Sequence, residues 1–194
     1  MKQLTQRDLQ AENRRNQLLD IALALFAERG IENVSIKDLA AEAQVAQGLI
    51  YYYFESKEAL LEAVFQRYNP FPQVRAIIEQ MSGMPIQEGL LLFTHGLAML
   101  MPEKRNIFRI LLRELISPRT NLLTQALPSQ EETVKQLVQY FQGRITAGEL
   151  KPHQPVIPIQ MLISSFLISL VAEQSLELLG PQLVEIILDG IRTP

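Results

Sequence analysis

Apolar residues recur every three or four positions along almost the whole chain, and this spacing limits the fold more than any other feature. A repeat of that length lines up apolar side chains on one face of an α-helix, whereas a half-buried β-strand alternates at every second position. Strand-like alternation is almost absent, and the prolines fall mostly where first helical turns are expected, a position that tolerates them. The pattern therefore predicts an all-α fold.

One break divides the predicted helices into two groups. The run Asn69-Pro70-Phe71-Pro72 interrupts the helical spacing, so we place a domain boundary there. Residues 1–69 then form an N-terminal head with a linking helix, and residues 70–194 form a larger C-terminal helical domain. The first helix is expected to begin after Asn13, as its N-cap, and to end at Gly30. Beyond the boundary, the spacing predicts helices near residues 73–82, 86–101, 103–116, 129–147, 156–178 and 181–191.

The composition argues against several kinds of chemistry. The chain has no cysteine and two histidines, so we expect no disulfide, no thiolate catalysis, no metal centre and no cofactor. The polar N-terminus and the interrupted apolar run at residues 156–172 indicate neither a signal peptide nor a membrane span, and predict a cytoplasmic protein. The first 69 residues carry eight Lys and Arg against ten Asp and Glu, a balance of −2 that argues mildly against DNA binding.

Residues 36–54 nevertheless have the pattern of a helix-turn-helix, two short helices joined by a turn at residues 44–46. Ser35 and Asp38 fit a capping box before the first helix, and Ser56 is a suitable cap for the helix that follows the motif. The side chains expected to pack inward are mostly apolar: Leu39, Ala40, Ala43, Val45, Ile50, Tyr53 and Phe54. This assignment leaves the other face of the second helix exposed.

The exposed face of the second helix has chemistry that suits a DNA major groove. A helix of about seven residues is ~10 Å long and fits a groove ~12 Å wide. Gln47 can pair with an adenine edge, Leu49 can contact a thymine methyl, and Gly48 allows the backbone to approach closely. Tyr51 and Tyr52 can donate hydrogen bonds to phosphates, although plain core packing is the alternative for both.

Neighbouring residues extend the predicted contact to the DNA backbone. Lys57 opens the next helix, where a cation and free backbone N–H groups favour phosphate, although an ordinary solvated lysine is the alternative. Phosphate contacts are also expected at the other end of the motif and from the first helix. The full set of predicted DNA contacts is Arg14, Arg15, Ser35, Lys37, Ala46, Gln47, Gly48, Leu49, Tyr51, Tyr52 and Lys57.

The segment from Val34 to Leu61 closely resembles the N-terminal signature of the TetR family of transcriptional regulators. Its most specific parts are Tyr-Tyr-Tyr-Phe at 51–54, Ser-Lys-Glu at 56–58 and Leu-Leu at 60–61, and the resemblance covers roughly residues 13–68. Two positions depart from the family pattern, since Gln44 stands where glycine is frequent and Ala46 where a capping Ser or Thr is frequent. The resemblance implies a homeodomain-like, three-helix head, a DNA-binding regulator that is most often a repressor, and a C-terminal domain for effector binding and dimerisation.

Residues that could line an effector pocket are aromatic, sulfur-containing or polar members of the C-terminal helices, and for each the alternative is simple core packing. They are Phe93, His95, Met99, Phe108, Phe141 and Met161. The family resemblance also implies a small effector, expected to be apolar, that weakens DNA binding when it is bound. The alternative function is that of a helical carrier of an apolar ligand that does not bind DNA. An enzyme is ranked last, because no nucleophile–base arrangement is apparent.

A homodimer is expected because one short recognition helix reads few base pairs, whereas two copies can read a palindromic operator. The last two predicted helices are rich in apolar residues and could form a four-helix bundle with a second copy. The predicted interface residues are Leu162, Phe166, Leu170, Val171, Leu178, Val184, Ile187, Leu188 and Ile191. The alternative is that these helices close the core of the monomer.

Overall fold

The computed structural model describes residues 5–116 and 128–192, and within them it confirms the all-α prediction. The β-structure among these residues is a single isolated bridge between Leu150 and Arg192. The helices are α1 (Gln6–Arg29), α2 (Ile36–Glu42), α3 (Gln47–Tyr53), α4 (Lys57–Tyr68), α5 (Phe71–Met81), α6 (Ile86–Glu103), α7 (Arg105–Ile116), α8 (Pro128–Thr146), α9 (Val156–Val171) and α10 (Leu176–Ile191).

Helix α1 starts eight residues earlier than the sequence pattern indicated, with Thr5 rather than Asn13 before its first residue, so the assignment of Asn13 as its N-cap is wrong. Thr5 is the cap: its hydroxyl accepts a hydrogen bond from the backbone N–H of Asp8, whose carboxylate accepts the N–H of Thr5 in return. The predicted end is confirmed. Gly30 follows the last helical residue with a φ of 88°, a conformation that a side chain disfavours.

Contacts divide the chain into two compact units. The first contains the chain up to Asn69 together with the part of α7 that begins at Arg109, a return that the sequence did not predict. In this unit α1 packs on α2 and α4, and α2 packs on α3. Its largest fully buried side chains are Leu19, Phe26, Leu39, Ile50, Leu60 and Phe65.

The second unit contains residues 70–108 and the later part of the chain from residue 127 on, so it is not the continuous range 70–194 of the prediction. Helix α6 is central to it and packs against α5, α9 and α10. Phe93, Phe141 and Phe166 are fully buried there. None of the helices in the described ranges is both long and apolar enough to cross a membrane.

The last two helices meet earlier than predicted. Helix α9 ends at Val171, and the chain turns through Glu173, which has a φ of 56°, before α10 begins at Leu176. Proline near a helix start was expected to mark the first turn of the last helix, but Pro181 lies inside α10. The turn is stabilised by a hydrogen bond from the backbone N–H of Gln174 to the carbonyl of Ser169.

Candidate nucleic-acid interface

The turn between α2 and α3 has the geometry of a helix-turn-helix. Its backbone is strained at Gln44, the position where the family pattern frequently has glycine. Gln44 has a φ of 53°, a left-handed conformation that costs a non-glycine residue about 1–2 kcal/mol. The next residue, Val45, is half-buried and donates its backbone N–H to the carbonyl of Ala40 at 2.9 Å. Ala46 precedes α3 without a side-chain capping bond, as its methyl group requires. The turn thus forms despite both departures from the family pattern.

Both predicted caps around this motif are present. The Ser35 hydroxyl accepts the backbone N–H of Asp38 at 3.2 Å, and the Asp38 carboxylate accepts the backbone N–H of Ser35 at 2.8 Å. These hydrogen bonds, from the Ser35 side chain first and its backbone second, lower the pKa of Asp38. Ser56 caps α4 by accepting the N–H of Ala59 at 3.1 Å. The two flanking helices therefore begin at defined residues and hold α3 between them.

One face of α3 is buried and the opposite face is exposed. Ile50 and Phe54 are buried, and Tyr53 is half-buried against Tyr52, with an edge-to-face ring separation of 5.0 Å. These positions match the inward face that the sequence predicts. The orientation of α3 is therefore fixed by the packing of its buried face, which leaves the opposite face directed towards solvent.

The exposed face contains the residues predicted to read DNA. Gln47 and Gly48 are exposed, and Tyr51 and Tyr52 expose 51% and 77% of their surface, which is unusual for aromatic residues in a packed domain. The alternative that Tyr51 and Tyr52 serve core packing is therefore wrong, because most of each side chain's surroundings is solvent. Leu49 is half-buried, so only part of its side chain is free for a thymine methyl.

Gly48 has no structural reason to lack a side chain. A Cβ built on Gly48 meets no atom within 4 Å, and glycine inside a helix costs roughly 0.5–1 kcal/mol relative to alanine. The fold would therefore be more stable with alanine there. A ligand that approaches the backbone closely gives a reason for the glycine.

The residues predicted to bind phosphate differ in solvent exposure and in whether their polar groups already form hydrogen bonds. Lys37 is exposed and Lys57 is half-buried at the first position of α4. The Ser35 hydroxyl is already engaged in its capping box, so a phosphate contact would compete with the cap. Arg14 is exposed and donates to the Gln17 side chain at 3.1 Å.

Arg15 has a structural role that sequence analysis did not predict. Its guanidinium lies 5.1 Å from the ring centre of Phe54, the residue that ends α3. A cation over an aromatic face is attracted by the ring quadrupole. Arg15 therefore joins α1 to the end of the recognition helix, whatever it contributes to phosphate binding.

The six residues predicted to line an effector pocket do not line either of two cavities found among the described residues of the second unit. Phe93, Phe108 and Phe141 are buried in the core, whereas the other three, His95, Met99 and Met161, are exposed. One cavity of about 610 Å³ lies at the start of α6, and another of about 370 Å³ lies between α5 and α8. Neither is lined by any of the six.

The cavity between α5 and α8 has polar walls. Tyr140 and Arg144 line it, and burial raises the pKa of Tyr140 to about 12, so its hydroxyl stays neutral. The Arg144 guanidinium lies over the Tyr140 ring at 5.3 Å and pairs with Glu149 at 2.9 Å. No group of acidic or histidine residues able to hold a metal ion occurs within 5–116 and 128–192.

Most of the predicted dimer interface is wrong, because those side chains are enclosed by their own protomer. Six of the nine are at most 4% exposed and so have almost no surface to offer a partner. These six are Leu162, Phe166, Leu170, Val184, Ile187 and Leu188. Ile191 is half-buried, while Val171 and Leu178 are exposed. For the six residues the alternative was right, since they close the core of the monomer.

The most exposed apolar residues of the last two helices include Val171 and Leu178 of the predicted interface, but the sequence analysis missed the others as interface residues. On α9 they recur at helical spacing, and on α10 they flank acidic positions. They are Ile157, Met161, Ile168, Val171, Leu178 and Ile186, with exposures between 42% and 70%. A helical wheel contains this stripe, but α9 is apolar on nearly every side, so the wheel alone does not indicate which face is buried.

Comparisons with known proteins agree with the helix-turn-helix geometry. Residues 18–64 match the family model described as bacterial regulatory proteins, tetR family. The chain is similar to the HTH-type transcriptional repressor KstR2 of Rhodococcus jostii (strain RHA1), with 40% identity over 67 residues. That alignment covers 34% of this chain and 33% of KstR2, so the chain matches about a third of the length of this curated relative.

Solved structures resemble the chain over nearly its whole length. The ketosteroid transcriptional regulator KstR2 of Mycobacterium tuberculosis aligns with a TM-score of 0.75 and 21% identity over 93% of this chain and 96% of that one. The transcriptional regulator FadR from Bacillus subtilis, in complex with stearoyl-CoA, aligns with a TM-score of 0.69 and 22% identity over 91% and 98%. These likenesses establish the fold. The match of residues 18–64 to the tetR family model, with the KstR2 alignment over the same region, supports a TetR family regulator.

Proposed function

We propose that the chain is a sequence-specific DNA-binding repressor that acts as a homodimer and is released from DNA by a small apolar molecule. The observation that carries this proposal is the exposed face of α3, where Gln47, Gly48, Tyr51 and Tyr52 lie free of the protein's own packing. Exposed aromatic residues on a short helix, held by a helix-turn-helix, suit a major groove better than bulk water.

Each residue of this face has a distinct role in the proposed complex. The Gln47 amide pairs with an adenine edge, and Gly48 lets the start of α3 approach the bases. The hydroxyls of Tyr51 and Tyr52 donate to phosphates on either side, and Lys57 adds a cation at the start of α4. Base contacts give the sequence preference, whereas the phosphate contacts supply affinity for any sequence.

Dimerisation uses the exposed apolar stripe of α9 and α10, which contains Val171 and Leu178 of the interface first predicted but none of its six buried residues. Ile168, Leu178 and Ile186 expose 62%, 70% and 65% of their surfaces, and such side chains are stabilised when a second copy covers them. Two copies related by a twofold axis would place two α3 helices on one side of a duplex. The proposed operator is accordingly palindromic.

The effector class rests on the relatives and on the apolar character of the second unit. A regulator of similar fold is described as a ketosteroid regulator, and another is bound to stearoyl-CoA. Phe93, Phe108 and Phe141 are the proposed apolar wall. Because all three are enclosed in the core, a ligand would reach them only if the surrounding helices moved apart. A ligand that prefers such a separated state would shift the population away from the DNA-binding state.

The test is selection of bound sites from a random pool of DNA duplexes, followed by affinity measurements on the selected site. We expect a palindromic site, for which Gln47→Ala costs about 1–3 kcal/mol and relaxes the preference at one base position in each half-site. Lys57→Ala, as the matched control, should weaken selected and random duplexes alike. A carrier without DNA-binding activity would select no site and would ignore random duplex at low salt, an outcome that would overturn the proposal.

A further inference from the structure

The first nine residues of α1, Gln6–Arg14, are exposed on every side. We call this segment the N-terminal extension. The first buried residue of α1 is Leu18, so the extension has no part in the core of the head. A helix that is polar all round and unpacked needs either local stabilisation or a partner outside the chain.

Local hydrogen bonds define where the extension begins. Thr5 and Asp8 form the capping box described above, with distances of 2.9 and 3.2 Å for the two backbone N–H groups. The hydrogen bonds of Thr5 lower the pKa of Asp8, so this carboxylate stays charged and engaged at the helix start. The extension also continues a helix already nucleated in the core, which removes the cost of starting one.

The extension leaves the head beside the recognition helix. Arg15, the residue that follows it, lies over the ring of Phe54 at 5.1 Å, and Phe54 is the residue at which α3 ends. At about 1.5 Å per residue, nine residues reach roughly 13 Å beyond that contact. This length and the contact with the end of α3 place the extension close enough to the recognition helix to be tested as part of the same DNA-binding surface.

The two arginines of the extension lie on one face of the helix, and its glutamate lies on nearly the opposite face. At about 100° per residue, Arg7, Gln10 and Arg14 fall within roughly 60° of one another, on one side of the helix. The acidic Glu12 lies on nearly the opposite side. A hydrogen bond of 3.1 Å to Gln17, the next residue of the same stripe, holds the Arg14 guanidinium on this face. The face offers two cations and one amide without an acidic neighbour in the stripe.

We infer that the N-terminal extension is a second DNA-binding element, which lies along the sugar-phosphate backbone outside the half-site read by α3. This inference rests on the proposed function. Arg7 and Arg14 are about 10 Å apart along the helix axis, far enough to contact two different phosphates of one strand. Gln10, between them, can donate to a phosphate or sugar oxygen without adding charge.

The test compares Arg7→Gln with Arg29→Gln, two substitutions that remove the same charge from exposed positions at opposite ends of α1. Glutamine has nearly the helix propensity of arginine, so the extension should stay helical, as circular dichroism would check. Affinities are measured on a duplex with the selected site and ten flanking base pairs on each side, and on the same site trimmed of its flanks. The salt dependence is measured on both duplexes.

We expect Arg7→Gln to weaken binding to the flanked duplex about three- to tenfold and to make the log–log salt slope shallower by about 0.9 per protomer, the value of one lost phosphate contact. Trimming the flanks should weaken the unmodified protein more than it weakens Arg7→Gln, because the variant keeps only the flank contacts of Gln10 and Arg14. Arg29→Gln should match the unmodified protein on both duplexes.

Two results would overturn the inference, and they are distinguishable. If the unmodified protein binds the selected site but Arg7→Gln equals Arg29→Gln in affinity and salt slope, the extension does not bind DNA and the proposed function stands. If the unmodified protein selects no site from the pool, the proposed function and this inference both fail.

Discussion

The contact between α6 and α10 is close enough that a single methyl group should separate the two helices. A Cβ added to Gly180 of α10 would lie 2.8 Å from Cβ and 2.9 Å from Oγ1 of Thr94 on α6. Thr94 is 1% exposed, and its hydroxyl donates to the carbonyl of Leu90 at 2.9 Å. Because a Cβ is fixed to the backbone, no side-chain rotation relieves this clash. The helices themselves must shift by about 0.6 Å to reach ordinary contact near 3.4 Å.

The expected cost combines two terms of opposite sign. Forcing an extra methyl group into a packed core costs about 1–3 kcal/mol, whereas replacing glycine by alanine inside a helix contributes about 1 kcal/mol of stability. Gly180→Ala should therefore be neutral to destabilising by about 2 kcal/mol. Gly143→Ala is the matched control, since an added Cβ there in α8 meets no atom within 4 Å. It should stabilise the protein by about 0.5–1 kcal/mol.

The difference between the two variants reports the steric cost of a Cβ at Gly180, which combines the clash with Thr94 and the clash with the ring of Pro181, the next residue of α10. Urea unfolding at a fixed protein concentration, followed by circular dichroism, gives the free energy of unfolding of each. We expect Gly180→Ala to be less stable than Gly143→Ala by about 1–3 kcal/mol, with unchanged denaturant dependence. Equal free energies of unfolding would refute the argument that Gly180 is required for the close approach of α6 and α10.

Three further predictions concern the turn, the cap and the dimer. Gln44→Gly should raise the free energy of unfolding by about 0.5–1 kcal/mol, since glycine adopts a φ of 53° without strain; a loss of stability in urea would contradict the strain. Ser35→Ala should lower the thermal midpoint and raise the pKa of Asp38 towards its ordinary value in an NMR titration. Because the folded pKa of Asp38 is depressed, its contribution is present above about pH 4 and lost as pH falls through the folded value, and an unchanged Asp38 titration would argue against the capping box. Leu178→Asp should yield folded monomers in sedimentation, whereas Leu188→Asp, at a buried position of the same helix, should unfold the chain; a dimeric Leu178→Asp protein would exclude this face as the interface.

The sequence determined the head well because its signals act over a few residues. The Ser35 and Asp38 box, the Ser56 cap and the stop at Gly30 each depend on hydrogen bonds or backbone angles within one helical turn. The inward face of α3 follows in the same way, since a short helix with one apolar side has a single way to pack. The start of α1 was missed although its signal is equally local, because the Thr5 and Asp8 pair precedes polar residues rather than an apolar stripe.

Tertiary structure decided what local patterns leave open. Helix α9 is apolar on almost every side, so its sequence is compatible with burying Leu162 and Phe166 or with burying Ile157 and Ile168. Packing against α6 and α10 buries the first pair, which had been predicted to face a second copy, and leaves the second pair exposed. The physical reason is that burial depends on which surfaces meet across the fold. Periodicity states how side chains are arranged around one helix, but the neighbours that cover them come from distant parts of the chain.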